Sequence, residues 1–194
     1  MRGRSRHLDG TGLTSMLFHQ SQRSLIKSVQ QGTVSIADGA ASGTATITAV
    51  TTGSAVLFLQ RESTAATSEV RSNNFVRIAL TDATTITATR IGTSGLRVMG
   101  FVVVEFWPGV VKSVQRGTIS LGDGTQTTNT ATITAVNIAK AWVMSLGFST
   151  DSGSSSEMAG LFTRVALTNA TTVTATRGSS TSAVVTSYEV VEFY

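Results

Sequence analysis

The chain has 194 residues, 41% of them hydrophobic and only 13% charged, with one proline and no cysteine. That is enough apolar material for a packed core and too little charge for an ordinary disordered chain, and it excludes disulfides, thiolate metal sites and a cysteine nucleophile. The net charge of +4 is concentrated at the start, where Arg2, Arg4, Arg6, Arg23 and Lys27 crowd together with Asp9 as the sole acid, so the high overall pI argues little for nucleic-acid binding.

Residues 1–23 resemble nothing later in the chain. They are basic and polar, with Leu13, Met16, Leu17 and Phe18 as an apolar island. Such a segment cannot build a core of its own, so it is read as an arm that docks on a partner, against the alternative of a solvated tail. The assembly residues expected there are Arg2, Arg4, Arg6, Leu13, Leu17, Phe18 and Arg23. No apolar run of signal-peptide length follows the basic start.

From residue 24 onward the chain repeats itself. Lys27-Ser-Val-Gln-Gln-Gly-Thr-Val34 returns as Lys112-Ser-Val-Gln-Arg-Gly-Thr-Ile119, and Thr44 to Val50 returns unchanged as Thr130 to Val136. Arg77 to Arg90 returns as Arg164 to Arg177, and Val103-Val-Glu-Phe106 as Val190-Val-Glu-Phe193. The offset drifts only from 85 (27 to 112) to 87 (77 to 164), which loop insertions absorb. The expected organisation is a leader over 1–23 and two repeats over 24–109 and 110–194, with Pro108-Gly109 as the turn pair at the junction.

Each repeat reads as β. Thr44, Thr46 and Thr48 alternate with Ala45, Ile47 and Ala49, which predicts a strand with one wet and one buried face. Val76, Ile78 and Leu80 alternate with Arg77, Ala79 and Thr81, and Ile86 and Ala88 with Thr85, Thr87 and Thr89. The last strands, Val98 to Trp107 and Val184 to Tyr194, are more continuously apolar, as for a central strand or one covered on both faces. Asp38-Gly39, Asp123-Gly124 and the glycine-serine run at 152–156 punctuate these elements. About six short strands per repeat and no amphipathic helix predict an all-β chain: two tandem antiparallel β-sandwich domains after an extended N-terminal arm.

No catalytic constellation is legible. His7 and His19 both lie in the leader, away from any folded pocket. Glu105 and Glu192 recur once per repeat, so neither repeat offers a carboxylate pair. They are read as solvent-facing, or as partners of the repeated arginines, Arg77 with Glu105 and Arg164 with Glu192. Asp38 and Asp123 supply one acid per loop, too few for calcium, and are read as turn residues. Asn169-Ala-Thr171 matches a glycosylation acceptor, but Asp82 stands at the matching place in the first repeat. Trp107, Trp142, Tyr188 and Tyr194 could stack on sugars or anchor a core or interface. Arg77, Arg90, Arg164 and Arg177 lie on Thr-rich strands without the aromatic platform that single-stranded nucleic acid requires. With Glu105 and Glu192 they are read as subunit-interface residues. The longest apolar stretch is interrupted by Glu105 and too short to span a bilayer, so no membrane partner is expected. No metal or other cofactor is expected either.

The segments VKSVQRGTI, TATITAV, RVALTNATTVTATR and SYEVVEF resemble small repeat-domain proteins of tailed bacteriophages, over Lys112 to Phe193 and nearly as well over Lys27 to Phe106. The resemblance implies a virion location and other virion proteins as partners. The strand order also resembles the H-type lectin fold: an early Q-x-G-T strand, a Thr-rich antiparallel middle and an aromatic-ended last strand. That likeness implies six-stranded sandwiches, a trimer and host-surface glycan as an alternative ligand, with no sugar-contacting residue assigned. The expected function is a trimeric structural protein of the tail, baseplate or fibre. The alternatives are a carbohydrate-binding receptor module or a capsid decoration protein.

Overall fold

A computed structural model describes residues 24–64, 70–153 and 158–194; the leader and its seven expected assembly residues lie outside the described residues. The first repeat runs β1 (Ile26–Ile36), β2 (Ser42–Thr46), β3 (Ala55–Thr64), a one-turn helix α1 (Arg71–Asn74), β4 (Arg77–Leu80), β5 (Thr85–Thr89) and β6 (Arg97–Phe106). The second runs β7 (Val111–Leu121), β8 (Thr128–Thr132), β9 (Ala141–Thr150), β10 (Arg164–Asn169), β11 (Thr172–Thr176) and β12 (Val184–Phe193), with 3₁₀ turns at Ile138–Lys140 and Met158–Gly160. Every described pairing between named strands is antiparallel. The described residues are therefore nearly all β, built of curled antiparallel sheets.

The sheet orders are β1-β6-β3, β10-β11-β8 and β2-β5-β4-β9-β12-β7. Both final strands, β6 and β12, lie between two neighbours, as their apolar character predicts. The six-stranded sheet crosses from one repeat to the other through a single residue pair, Arg77 opposite Gly147. Gly147 sits in a bulge of β9 with φ +89°, and a Cβ there would lie 2.4 Å from the Val76 carbonyl oxygen. Glycine is what lets β4 approach this strand.

The period-two pattern sets the core. Val76, Ile78 and Leu80 are buried on one face of the β4 segment and Ile86 and Ala88 on one face of β5, packed with Val34, Ile36, Phe101 and Val103. Ile119, Leu121, Val173, Ala175, Tyr188 and Val190 form the matching cluster of the second repeat. Leu146 of β9 belongs to the first cluster, so the two repeats share core. In each repeat an aromatic ring covers a glycine directly across the ladder, Phe101 over Gly32 and Tyr188 over Gly117.

The expected strand over Thr44–Val50 is shorter than predicted. It ends at Thr46, as its twin ends at Thr132. The Gln30 carboxamide donates to the Thr48 carbonyl at 2.9 Å and accepts its N–H at 2.7 Å. Gln115 does the same at Thr134, at 2.9 and 2.7 Å. A side chain thus satisfies the backbone where a ladder would have continued, and the alternation slips so that Val50, not Ala49, is buried.

Candidate functional site

Two matching polar clefts recur at the start of each repeat. In the first, lined by Lys27, Ser28, Gln30, Thr48, Ala49 and Glu105, the Glu105 carboxylate accepts from Lys27 Nζ at 2.8 Å, the Thr51 N–H at 2.9 Å and Ser28 Oγ at 3.3 Å. In the second, Glu192 accepts from Lys112 Nζ and the Asn137 N–H, both at 2.9 Å, and from Ser113 Oγ at 3.4 Å. Burial pushes the Glu105 carboxyl up, but Lys27 and the Thr51 donors outweigh it and hold it below its ordinary range. The Asn137 N–H and Lys112 hold Glu192 low as well. The cationic partners are thus the lysines, which corrects the expected pairs Arg77–Glu105 and Arg164–Glu192. Lys27 and Lys112 lie on the strands hydrogen-bonded to β6 and β7's partner β12, nearly opposite these acids.

Arg90 and Arg177 have matching roles inside their repeats. Arg90 is 1% exposed. Its guanidinium donates to the carbonyls of Ala40 (2.8 Å), Ala37 (3.1 Å), Thr93 (2.7 Å), Ser94 (2.8 Å), Gly95 (2.6 Å) and Asn73 (3.2 Å). Arg177 binds the carbonyls of Gln126, Gly160, Gly122 and Ser182, and burial lowers its pKa. Five fixed donors in a plane suit an arginine to gather loop carbonyls that no ladder reaches. Contact with a sister subunit through these groups would require breaking that cage. Arg77 lies at the bridge to Gly147 and is half-buried, its pKa lowered by desolvation; Arg164 is exposed on β10.

The most developed polar site joins the repeats. Arg116 of β7 and Glu189 of β12 are opposite each other in register and form a 2.6 Å ion pair. Both then reach the first repeat. Glu189 accepts the Leu57 N–H at 3.0 Å, and Arg116 donates to the carbonyls of Thr52 (3.0 Å) and Ala55. Burial raises the Glu189 pKa, against Arg116 and the Leu57 N–H, which lower it. Around the pair, Val56, Phe58 and Phe106 pack on Val111, Val114, Met144, Val191 and Phe193. Phe75 stacks on Phe148 at 4.6 Å. One edge of the first repeat is therefore seated on the outer face of the second.

Arg116 and Glu189 were not among the expected site residues, yet a signal for them existed. Position by position, the repeats differ there together: Gln31 and Val102 in the first, Arg116 and Glu189 in the second. Opposite charges gained at once mark a new ion pair.

The remaining candidates fall as follows. Tyr188 is core, whereas Trp107, Trp142 and Tyr194 are exposed. Asp38 accepts the Gly95 N–H at 2.6 Å and so ties its turn to the loop at Gly95, whereas Asn169 accepts the Thr171 N–H at 2.8 Å as Asp82 accepts that of Thr84 at 2.7 Å, so these two serve their own turns. Among the described residues no group of three histidine or acidic side chains is placed to hold a metal ion. Comparison with protein-family models, curated proteins and solved structures returned no match.

Proposed function

We propose that this chain is a structural protein of a tailed-bacteriophage virion, acting by assembly in the tail, baseplate or fibre region. In this reading residues 24–109 and 110–194 are tandem H-type-lectin-like sandwiches, three chains form the particle's trimer, and residues 1–23 attach it to a neighbouring virion protein. The observation that carries the reading is the joint between the repeats, where a buried ion pair and an apolar cluster seat one sheet edge on another sheet face. Chemistry of this kind builds contacts between β modules. Glu105, Glu189, Glu192, Arg90, Arg116 and Arg177 are engaged in bonds of the fold.

The test is genetic and biochemical. The chain is expected in density-purified particles of the encoding virus, and a version beginning at Ser24 is expected to fold with unchanged melting yet fail to join particles. Normal tailed, infectious particles without the chain would refute the reading.

One observation favours glycan binding as a second reading. Exposed Trp107 and Tyr194 line a cleft together with Lys27 and the carboxylate of Glu105, and aromatic faces beside hydrogen-bonding groups suit a sugar ring. Specific retention of the chain on a glycan array, lost in Trp107→Ala, would support it.

A further inference from the structure

The joint within the chain is heterologous. The first repeat contributes an edge, from Thr52 to Leu57, and the second contributes a face, with Val114, Arg116, Glu189 and Val191. A heterologous contact leaves one half unused at each end of the pair.

Both unused halves are present. The repeat equivalence places Ile138, Ala141, Trp142 and Val143 where the first repeat has Thr52, Ala55, Val56 and Leu57. It places Val29, Gln31, Val102 and Val104 where the second has Val114, Arg116, Glu189 and Val191. Burial marks which halves are covered. Val56 and Val191 are both 0% exposed, whereas Trp142 is 43%, Ile138 50% and Val29 56% exposed. The same contrast runs along the central strands: the outward side chains Glu189 and Val191 of β12 are buried, and Val102 and Val104 of β6 are half-exposed.

We infer that a second copy of this chain docks here, its β9 edge at Ile138 and Trp142 seating on the β1–β6 outer face formed by Val29, Gln31, Val102 and Val104.

The substitutions between the repeats fit this contact. A glutamate at position 102 without an arginine at 31 would bury an unpaired charge, which is strongly unfavourable. Val102 avoids it. The Gln31 carboxamide carries both a donor and an acceptor. It can bind the Ala141 carbonyl as Arg116 binds that of Ala55, and accept the Val143 N–H as Glu189 accepts that of Leu57. Trp142 in place of Val56 adds apolar area at the centre, where interface anchors concentrate. The bridge at Gly147 has no counterpart, because Arg61 stands at the matching position. The contact between chains is therefore weaker than the one within the chain, and it depends on concentration.

The inference deepens the assembly reading and rests on it for the identity of the partner. The experiment uses the purified full chain, followed by sedimentation velocity and native mass spectrometry over a micromolar range. The wild type is expected to self-associate. Val29→Glu spoils only the face and Ile138→Glu, at an exposed position of the edge, only the edge. Each is expected to weaken self-association by roughly tenfold or more, as for loss of an interface anchor, with circular dichroism and melting unchanged. An equimolar mixture of the two variants retains one good face and one good edge, so it is expected to give a one-to-one dimer and stop there. A monomeric wild type overturns the inference and, with it, self-assembly. A wild-type oligomer that neither variant disturbs overturns the inference and leaves the assembly reading standing. Dissociation only on removal of residues 1–23 identifies the leader as the contact and overturns it too.

Discussion

Glu189 and Arg116 pair across β12 and β7 at 2.6 Å, and both side chains end on the backbone of the other repeat, at Leu57 and at Thr52 and Ala55. β3 is an edge strand of its own sheet, and an edge exposes N–H and carbonyl groups that invite pairing. Here a charged pair, rather than another strand, satisfies that edge. The arrangement works because the cation faces carbonyls and the anion faces an N–H.

A double-mutant cycle tests the pair. Arg116→Gln and Glu189→Val are each expected to destabilise by about 3–5 kcal/mol, since each strands a buried charge. The double variant restores the combination Gln31 and Val102 carry in the first repeat, and is expected to cost far less than the sum. Urea denaturation of the four proteins measures this. Strict additivity would show that the two charges are not coupled.

The acid limb of stability follows from the clefts. Glu105 and Glu192 are held low in the folded chain, so their contribution is complete above the ordinary carboxylate pKa and is lost as pH falls through their folded values. Asp82, lowered by the Thr84 backbone N–H and neighbouring hydroxyls, acts in the same direction. Glu189 acts oppositely. Its pKa is raised, so its favourable term is full below the ordinary carboxylate range and is lost as pH rises through its folded value. Melting temperature is therefore expected to drop below about pH 4, and to drop less steeply in Glu105→Gln/Glu192→Gln. An unchanged slope in that variant would assign the acid limb to other groups.

Arg90→Lys is expected to cost more than about 3 kcal/mol, because one ammonium cannot replace a planar guanidinium over carbonyls from 37 to 95 and each orphaned buried acceptor costs about 1–3 kcal/mol. Arg177→Lys is expected to behave alike in the second repeat. Denaturant midpoints within experimental error of wild type would show that water can replace the cage.

Gly147→Ala is expected to destabilise by more than about 1–2 kcal/mol, the strain of a left-handed conformation, because the new methyl also meets the Val76 carbonyl. Gly122→Ala is the control. Its added Cβ meets only Gln126 Oε1, at 3.5 Å, so it is expected to stay within about 0.5 kcal/mol of wild type. Equal effects at the two sites would deny Gly147 its role at the bridge.

The sequence by itself determined the local choices. Alternating Thr and aliphatic side chains make strands because residues two apart share a face, and Val76, Ile78 and Leu80 are buried as that rule requires. Near-identical repeat segments gave near-identical clefts, because Lys27, Gln30 and Glu105 and their counterparts Lys112, Gln115 and Glu192 meet the same neighbours.

Tertiary structure alone decided what lies beyond each sheet. β6, with three successive valines, keeps its outer face half-exposed, whereas β12, carrying Ser187, Glu189 and Glu192, is buried on both faces. Hydropathy ranks them the other way. Alternation reports the core of a strand's own sheets, while the second covering comes from a repeat some 85 residues away and is paired by charge rather than by apolarity. The same holds for Arg90 and Arg177, whose charge signals exposure and whose burial depends on loop carbonyls that converge only when the sheets close.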